Sequence, residues 1–339
     1  MTLSFIVIAY NEEETISELF SELKAQDYPH EKMEIILVDS GSQDKTRELM
    51  QRFSKEKNGF SRVVVKENPE KTLPCGWNVA LKESKGEVLL RVDAHASIPK
   101  DFVSKNIRCQ QSGEKVCGGY RPNIIDEETP WKKTLLMAET SMFGSSAASY
   151  RRNGEKRYVS SVFHGAYRRE VFDKVGGYNE RLTRTEDNEM HYRIRQAGYR
   201  ICFDPEIISY EHTRNSLKKM LRQKYLNGLW IGLTAGVCPK CLSLFHFVPF
   251  AFVLAIAFTT VLALCKLPLL SLLMWAAYWL LAAVMAVAAV VQSKSFHPTY
   301  LLLPLLFFLL HLFYGAGTLV GIVKLPFWKR KNQEKESRS

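Results

Sequence analysis

Two short stretches of this 339-residue chain carry side chains of the types and spacing that do chemistry. Asp93-Ala94-His95 closes the apolar run VLLRV (88–92), and Glu186-Asp187 opens a segment, 187–197, with helical spacing. A carboxylate and an imidazole two residues apart beyond a strand end can both turn toward a divalent cation. The imidazole suits Mn²⁺ better than Mg²⁺, which prefers oxygen. A carboxylate in the first turn of a helix is held ionised and acceptor-only by the helix N-terminus. Each stretch alone also has a plainer reading, because Asp and Asn favour turns after strands and cap helix N-termini.

Such residues need elements to position them. LSFIVIAY (3–10) reads as a buried strand, followed by Asn11 as a helix N-cap, Glu12, Glu13 and Glu14 in the first turn, and Ile16, Leu19, Phe20 and Leu23 at helical spacing. EIILV (34–38) ends at Asp39; a helix over Arg47–Phe53, the strand RVVV (62–65), a helix over Trp77–Lys82 and the strand ending at Asp93 complete the pattern. Strands alternating with helices predict an α/β fold with a parallel sheet. Ligands bind such sheets beyond the carboxyl ends of the strands, and those ends carry Asn11, Asp39 and Asp93.

Average composition hides a division. Mean hydropathy is −0.13 and net charge +11, yet residues 241–323 contain only two charged side chains, Lys266 and Lys294. Three segments, 241–265, 267–291 and 299–323, are long enough to span a bilayer. The charge divides as +5 for residues 1–240, +2 for 241–323 and +4 for 324–339. A mildly basic soluble part argues against nucleic acid as a partner, and cations flanking apolar segments suit anionic headgroups. Residues 216–240 read as an amphipathic interfacial helix with Lys218, Lys219, Arg222 and Lys224 on its cationic side. Three crossings would set the basic tail 324–339 opposite those cations, against the positive-inside tendency. His311, inside the third segment, reads as a hydrogen bonder between helices. Seven scattered cysteines, without a signal-like N-terminus, argue against a disulfide framework and for a cytoplasmic soluble part.

Taken in order, SFIVIAYNEEE, VDSGSQDKT, D-x-H, HGAYRREVFDKVGGYNE and TEDNEMHYRIRQAGYRI resemble the inverting glycosyltransferases of family 2. The D-A-H-A form and the apolar C-terminal segments are similar to the membrane-anchored, succinoglycan-type glucosyltransferase subgroup. The resemblance covers about residues 1–230 and implies a GT-A domain, Rossmann-like with a mostly parallel sheet, over 1–215. It places Ala9, Tyr10, Asn11 and Glu12 around the nucleotide base, Asp39 on uracil or ribose, Asp93 and His95 at a metal and diphosphate, and Asp187 as general base beside Glu186 in the donor site. His212 is the candidate third metal ligand, and Arg214 and Lys71 are candidate nucleotide contacts. His95 stands where a second Asp is usual, which favours Mn²⁺ over Mg²⁺.

Gln223 is followed by Lys224, Tyr225, Leu226 and Asn227, without the Q-x-x-R-W motif of processive synthases, so a single addition is expected. The implied reaction moves glucose from a UDP-sugar to a polyprenyl-diphosphate-linked saccharide in exopolysaccharide or surface-glycan assembly. Its setting is the plasma (inner) membrane, with the catalytic domain facing the cytoplasm and other glycan-assembly enzymes as partners. The basic loop 151–157 is a candidate for meeting the acceptor diphosphate. The alternatives are a polyprenyl-phosphate sugar synthase and a non-catalytic nucleotide-sugar-binding scaffold.

Overall fold

The computed structural model describes residues 1–144, 149–213 and 216–336. The chain forms two compact units, Met1–Asn123 with Ala148–His212, and Ile124–Ala147 with Thr213–Ser339.

In the first unit β1 (Leu3–Ala9), β2 (Met33–Asp39), β3 (Arg62–Glu67) and β4 (Val88–Asp93) alternate with α1 (Ile16–Lys24), α2 (Thr46–Lys55) and α3 (Leu73–Glu83). β5 (Ala96–Ser97), α4 (Phe102–Gln111) and β6 (Val116–Tyr120) follow, and at β7 (Asn123–Ile124) the chain passes to the second unit, which holds α5 (Pro130–Thr140). It returns through β8 (Arg157–Val159), β9 (Ala166–Arg168), α6 (Arg169–Val175), α7 (Glu186–Gln196), β10 (Ile201–Ile208) and β11 (Tyr210–His212). Eight strands form one sheet in the order β3-β2-β1-β4-β9-β6-β10-β8. β9 and β8 run antiparallel to their neighbours, and the others are parallel, as the alternating pattern predicts.

The sheet is covered on both faces, which explains why its strands are apolar without alternation. Phe5 and Val7 of β1 pack with Ile16, Leu19, Phe102 and Ile107, while Ile6 and Ile8 pack with Trp77, Ala80, Met190 and Ile194. β4 obeys the same pleat. Leu90 and Val92 join the α1 and α4 side, so Arg91 and Asp93 point with Leu89 to the α3 and α7 side.

Asn11 does not cap a helix. α1 begins at Ile16 behind Thr15, and Asn11 lies in the left-handed region (φ 55°), which asparagine tolerates better than most residues. Its side chain reaches the loop after β2 instead, where its Oδ1 accepts from the Gln43 N–H at 2.8 Å.

In the second unit α8 (Leu217–Thr234) is joined by α9 (Val248–Leu264), α10 (Leu269–Ser293) and α11 (Leu303–Glu336). The stretches Leu244–Leu264, Leu269–Ser293 and Pro298–Gln333 are long and apolar enough to cross a membrane. α8 packs along α11 in parallel through two pairs of glycines spaced four apart, Gly228 with Gly232 and Gly317 with Gly321. A β-carbon on Gly317 would lie 2.1 Å from the Tyr225 carbonyl oxygen, and one on Gly321 2.2 Å from that of Leu229. This is the close backbone approach that small residues permit between membrane helices. His311 joins the Tyr278 hydroxyl (3.0 Å) to the Phe143 carbonyl, the bridging role its sequence position suggests.

Three of the expectations differ in the structure. Residues 124–147 leave the 1–215 domain, because Leu135 and Ala138 of α5 pack with Met220, Leu303 and Phe307, and Glu139 pairs with buried Lys224 at 2.9 Å. Lys224 therefore leaves the cationic side of the 216–240 helix, while Lys218, Lys219 and Arg222 remain exposed. Residues 324–336 do not form a separate tail, since α11 continues through Pro326 to Glu336. Gly317→Val should lower the thermal unfolding midpoint in detergent, through overpacking of about 1–3 kcal/mol, as read by intrinsic fluorescence.

Candidate active site

Strand register brings the predicted residues to one end of the sheet. Ala9 is level with Asp39, Asp39 with Glu67, and Asp93 with Ile8, one residue short of that row. The loops beyond β1 and β2 are then fastened together. Besides the Asn11 contact, the Asn11 N–H donates to Ser42 Oγ (3.0 Å), the Glu12 N–H to Thr46 Oγ1 (2.7 Å), and the Lys45 N–H to Glu13 Oε2 (2.9 Å). Ala9 is buried and its carbonyl accepts from the Ser40 N–H, whereas Tyr10 is 52% exposed. Asp39 is buried, with Oδ1 accepting from the Ser42 N–H at 3.1 Å. Lys71, itself at φ 57°, lies against Gly41, where an added β-carbon would sit 2.9 Å from Lys71 Cε. Gly41 has φ +80°, so both backbone freedom and space call for glycine there.

Asp93 and His95 have different supports. Burial opposes ionisation of Asp93, but His164, Arg91 and His95 outweigh it and hold the carboxyl well below the usual aspartate value. His164 Nε2 lies 3.8 Å from Asp93 Oδ2, and Ser209 Oγ fixes the other ring nitrogen at 2.8 Å. His95 Nδ1 meets Glu12 Oε1 at 3.1 Å. A carboxylate behind one ring nitrogen sets the tautomer that presents Nε2 as the lone-pair donor, the usual arrangement of a metal-binding histidine. Glu12 thus faces His95, a contact that its expected place beside the base did not include. His212 ends β11, and its Nε2 is engaged by Ser97 Oγ at 2.8 Å, so a metal at that nitrogen would have to displace the hydroxyl. Among the described residues no group of three or more His, Cys, Asp and Glu side chains is arranged to hold a metal ion. The three expected ligands are therefore not gathered into one set. An ionised Asp93 and an oriented His95 fit a divalent cation whose remaining positions are filled by ligand oxygens. Arg214 lies outside the described residues.

Glu186 and Asp187 occupy the first turn of α7, as expected. Burial, reinforced by the charge of Asp187, pushes Glu186 up to about 8, and burial raises Asp187 as well. Arg91 Nη2 meets Glu186 Oε1 at 3.0 Å, with both side chains at least 95% buried. Asp187 Oδ1 accepts from the Asn188 N–H at 2.8 Å. Further along α7, burial pushes His191 down to about 3; it is fixed between Ser161 (2.9 Å) and Tyr167 (2.8 Å) as a neutral packing residue.

Arg91 and His164 are additions to the predicted set. Arg91 had a sequence signal, a lone charge inside an apolar strand, while His164 sat within HGAY with nothing local to mark it. Arg151 of the basic loop is bound in place, with Nη2 3.2 Å from Glu211 Oε2 and Nη1 3.2 Å from Asn123 Oδ1. Arg121 shares the same carboxylate at 2.6 Å, so Glu211 already answers both cations.

A polar strand-end row with an acidic helix start tied to β4 suits a GT-A domain, and the chain belongs to glycosyl transferase family 2, whose family model matches residues 4–176. The family 21 glycosyl transferase model matches residues 158–317. The chain is 25% identical to a dolichyl N-acetyl-α-D-glucosaminyl phosphate 3-β-D-2,3-diacetamido-2,3-dideoxy-β-D-glucuronosyltransferase of Methanococcus voltae, over 95% of this chain and 97% of that one. It is 27% identical to the succinoglycan biosynthesis protein ExoA of Rhizobium meliloti (strain 1021), over 66% of this chain and 67% of that one. The fold matches a mannosyltransferase of Pyrobaculum calidifontis solved with GDP-Man and Mn²⁺, at TM-score 0.58 and 17% identity, over 95% of this chain and 86% of that one. The protein is a glycosyltransferase that uses nucleotide-sugar donors in glycan or polysaccharide synthesis.

Glu12→Gln should weaken Mn²⁺ binding in the presence of UDP by roughly 10- to 100-fold, measured by paramagnetic titration, because the amide is a poorer partner for His95 Nδ1.

Proposed function

We propose that this glycosyltransferase moves one sugar, glucose, from a UDP-sugar to a polyprenyl-diphosphate-linked saccharide, with inversion, in the assembly of an exopolysaccharide or other surface glycan. The observation that carries the reading is the placement of Asp187 in the first turn of a helix tied by Glu186 to β4, the strand that also ends in Asp93. One element thus relates the base to the donor diphosphate. The acceptor class is supported by the dolichyl phosphate named for the Methanococcus voltae relative, and the product class by the succinoglycan named for the Rhizobium meliloti relative. Apolar helices in the same chain suit a lipid-linked acceptor at the inner membrane, with the catalytic unit on the cytoplasmic side.

On this reading Asp39 and the fastened loops around Tyr10 and Asn11 hold the base and ribose, and Lys71 offers an ammonium to the nucleotide. Asp93 and His95 would hold Mn²⁺ or Mg²⁺, with Mn²⁺ favoured by the imidazole donor. When bound, that cation neutralises charge developing on the departing diphosphate, which removes the need for a second catalytic carboxyl as acid. Asp187 accepts the proton of the acceptor hydroxyl as its oxygen attacks the anomeric carbon from the face opposite the diphosphate. The C–O bond to the nucleotide breaks as the new one forms, with oxocarbenium character between them.

Asp187→Asn should lower kcat by roughly 10²- to 10⁴-fold while leaving the donor Kd unchanged, scored by nucleotide release with lipid-linked acceptor and by calorimetry. A variant that keeps its turnover would point to a phosphate nucleophile, which hardly needs a base. Because burial raises Asp187, the acid limb of kcat/KM should lie above the ordinary aspartate value of 3.8. Activity is then lost as the pH falls through that raised value. A panel of nucleotide sugars with Mn²⁺ or Mg²⁺ identifies the donor, and no release with any of them would overturn the enzyme reading.

A further inference from the structure

β4 is apolar except where it carries Arg91 and Asp93 on one face. The Arg91 guanidinium lies 4.6 Å from the Trp77 ring centre and 5.8 Å from those of Phe163 and Tyr178. Its ion-pair partner is Glu186, at 3.0 Å, and its Nε has no hydrogen-bond partner among the described residues. A buried pair of this kind contributes little net stability, because desolvation offsets most of the attraction, and apolar side chains of similar size often serve a core as well. Leu89 and Leu90 show that the same strand accepts leucine on either face. The charge at 91 therefore calls for another explanation.

We propose that Arg91 is a positioning residue for the reaction, fixing the first turn of α7 through its 3.0 Å contact with Glu186. The inference rests on the reading of Asp187 as the base. Its position on the strand suits the task, since one guanidinium stands two residues from the end of β4 and grips the residue next to the base. The charged and titratable groups around Asp187 include Glu186 beside it, Arg91 and Asp93 from β4, Tyr167 from β9, and Tyr178. Arg91 counters the upward push of burial and of Asp93 on Asp187. Glu186, raised to about 8, is neutral where Asp187 ionises and acts as the tether. Lysine would keep the charge at position 91 but lose the planar fork that orients Glu186.

The test compares Arg91→Met, Arg91→Lys and Glu186→Gln in the full-length protein in detergent, measuring the pH profile of kcat/KM, kcat at saturation and donor Kd. Arg91→Met should lower kcat and move the acid limb upward by about 1–2 pH units. Arg91→Lys should leave the limb near its original place but lower kcat, and in both Arg91 variants donor Kd is unchanged. Glu186→Gln replaces a group already neutral where the base titrates, so its limb should stay in place. A kcat at the wild-type level in Arg91→Met, or an acid limb that does not move there, would overturn the proposal. If Arg91→Met fails to fold, Arg91→Lys decides: an unchanged kcat would overturn the proposal. Asp187→Asn separates the two levels. If it keeps full activity, the base reading falls and this inference with it; if it is inactive while the Arg91 variants keep wild-type kcat, only the role of Arg91 falls.

Discussion

The parallel register of β1, β2 and β4 is the constraint from which the candidate site follows. Backbone pairing puts Ala9, Asp39 and Asp93 within one residue of a common row, and the pleat then decides which neighbouring side chains point with them. Because the strands are buried on both faces, a slip of one residue would move Arg91 from the α7 side to the α1 side and separate it from Glu186. The polar edge therefore has little latitude: the packing of Phe5, Ile6, Val7 and Ile8 against opposite helix layers fixes where the chemistry is presented.

That constraint explains why the first unit was largely legible in the sequence. Runs such as EIILV and VLLRV report burial directly, and the polar residues that end them report the edge at which ligands bind. What composition could not convey was pairing across long separations. Asn11 has the residue type of a helix cap, yet its side-chain Oδ1 accepts from the Gln43 backbone N–H 32 residues away. Glu12 belongs by sequence with its neighbours at the base, and only the folded chain places it beside His95. His212 shows the opposite case: its type suited a ligand set, but Ser97 engages its Nε2 at the end of a short strand pair.

The second unit was legible in hydropathy and not in partnership. Length and apolarity identify three long helices, but α8, with nearly balanced polarity, carries no comparable mark. Its glycines acquire meaning only when Tyr314 and Thr318 are found beside them. Likewise Glu139 and Lys224, 85 residues apart, look like ordinary surface charges until their burial and mutual contact are known.

The glycine contact between α8 and α11 has a further physical consequence. The facing pairs Tyr225 with Gly317 and Leu229 with Gly321 set the two helices in one parallel register. Extended by one turn, that register sets Arg222 level with the middle of the apolar stretch of α11. Hydrocarbon around that level would have to accommodate an exposed guanidinium, which is costly unless the side chain reaches toward water. Of the most apolar stretch of α11, 39% is buried inside the protein, against 6% and 17% for the two preceding apolar stretches. Hydropathy alone thus overstates the length of α11 that would be available to lipid, because α8 and the other helices packed on it cover part of its apolar surface.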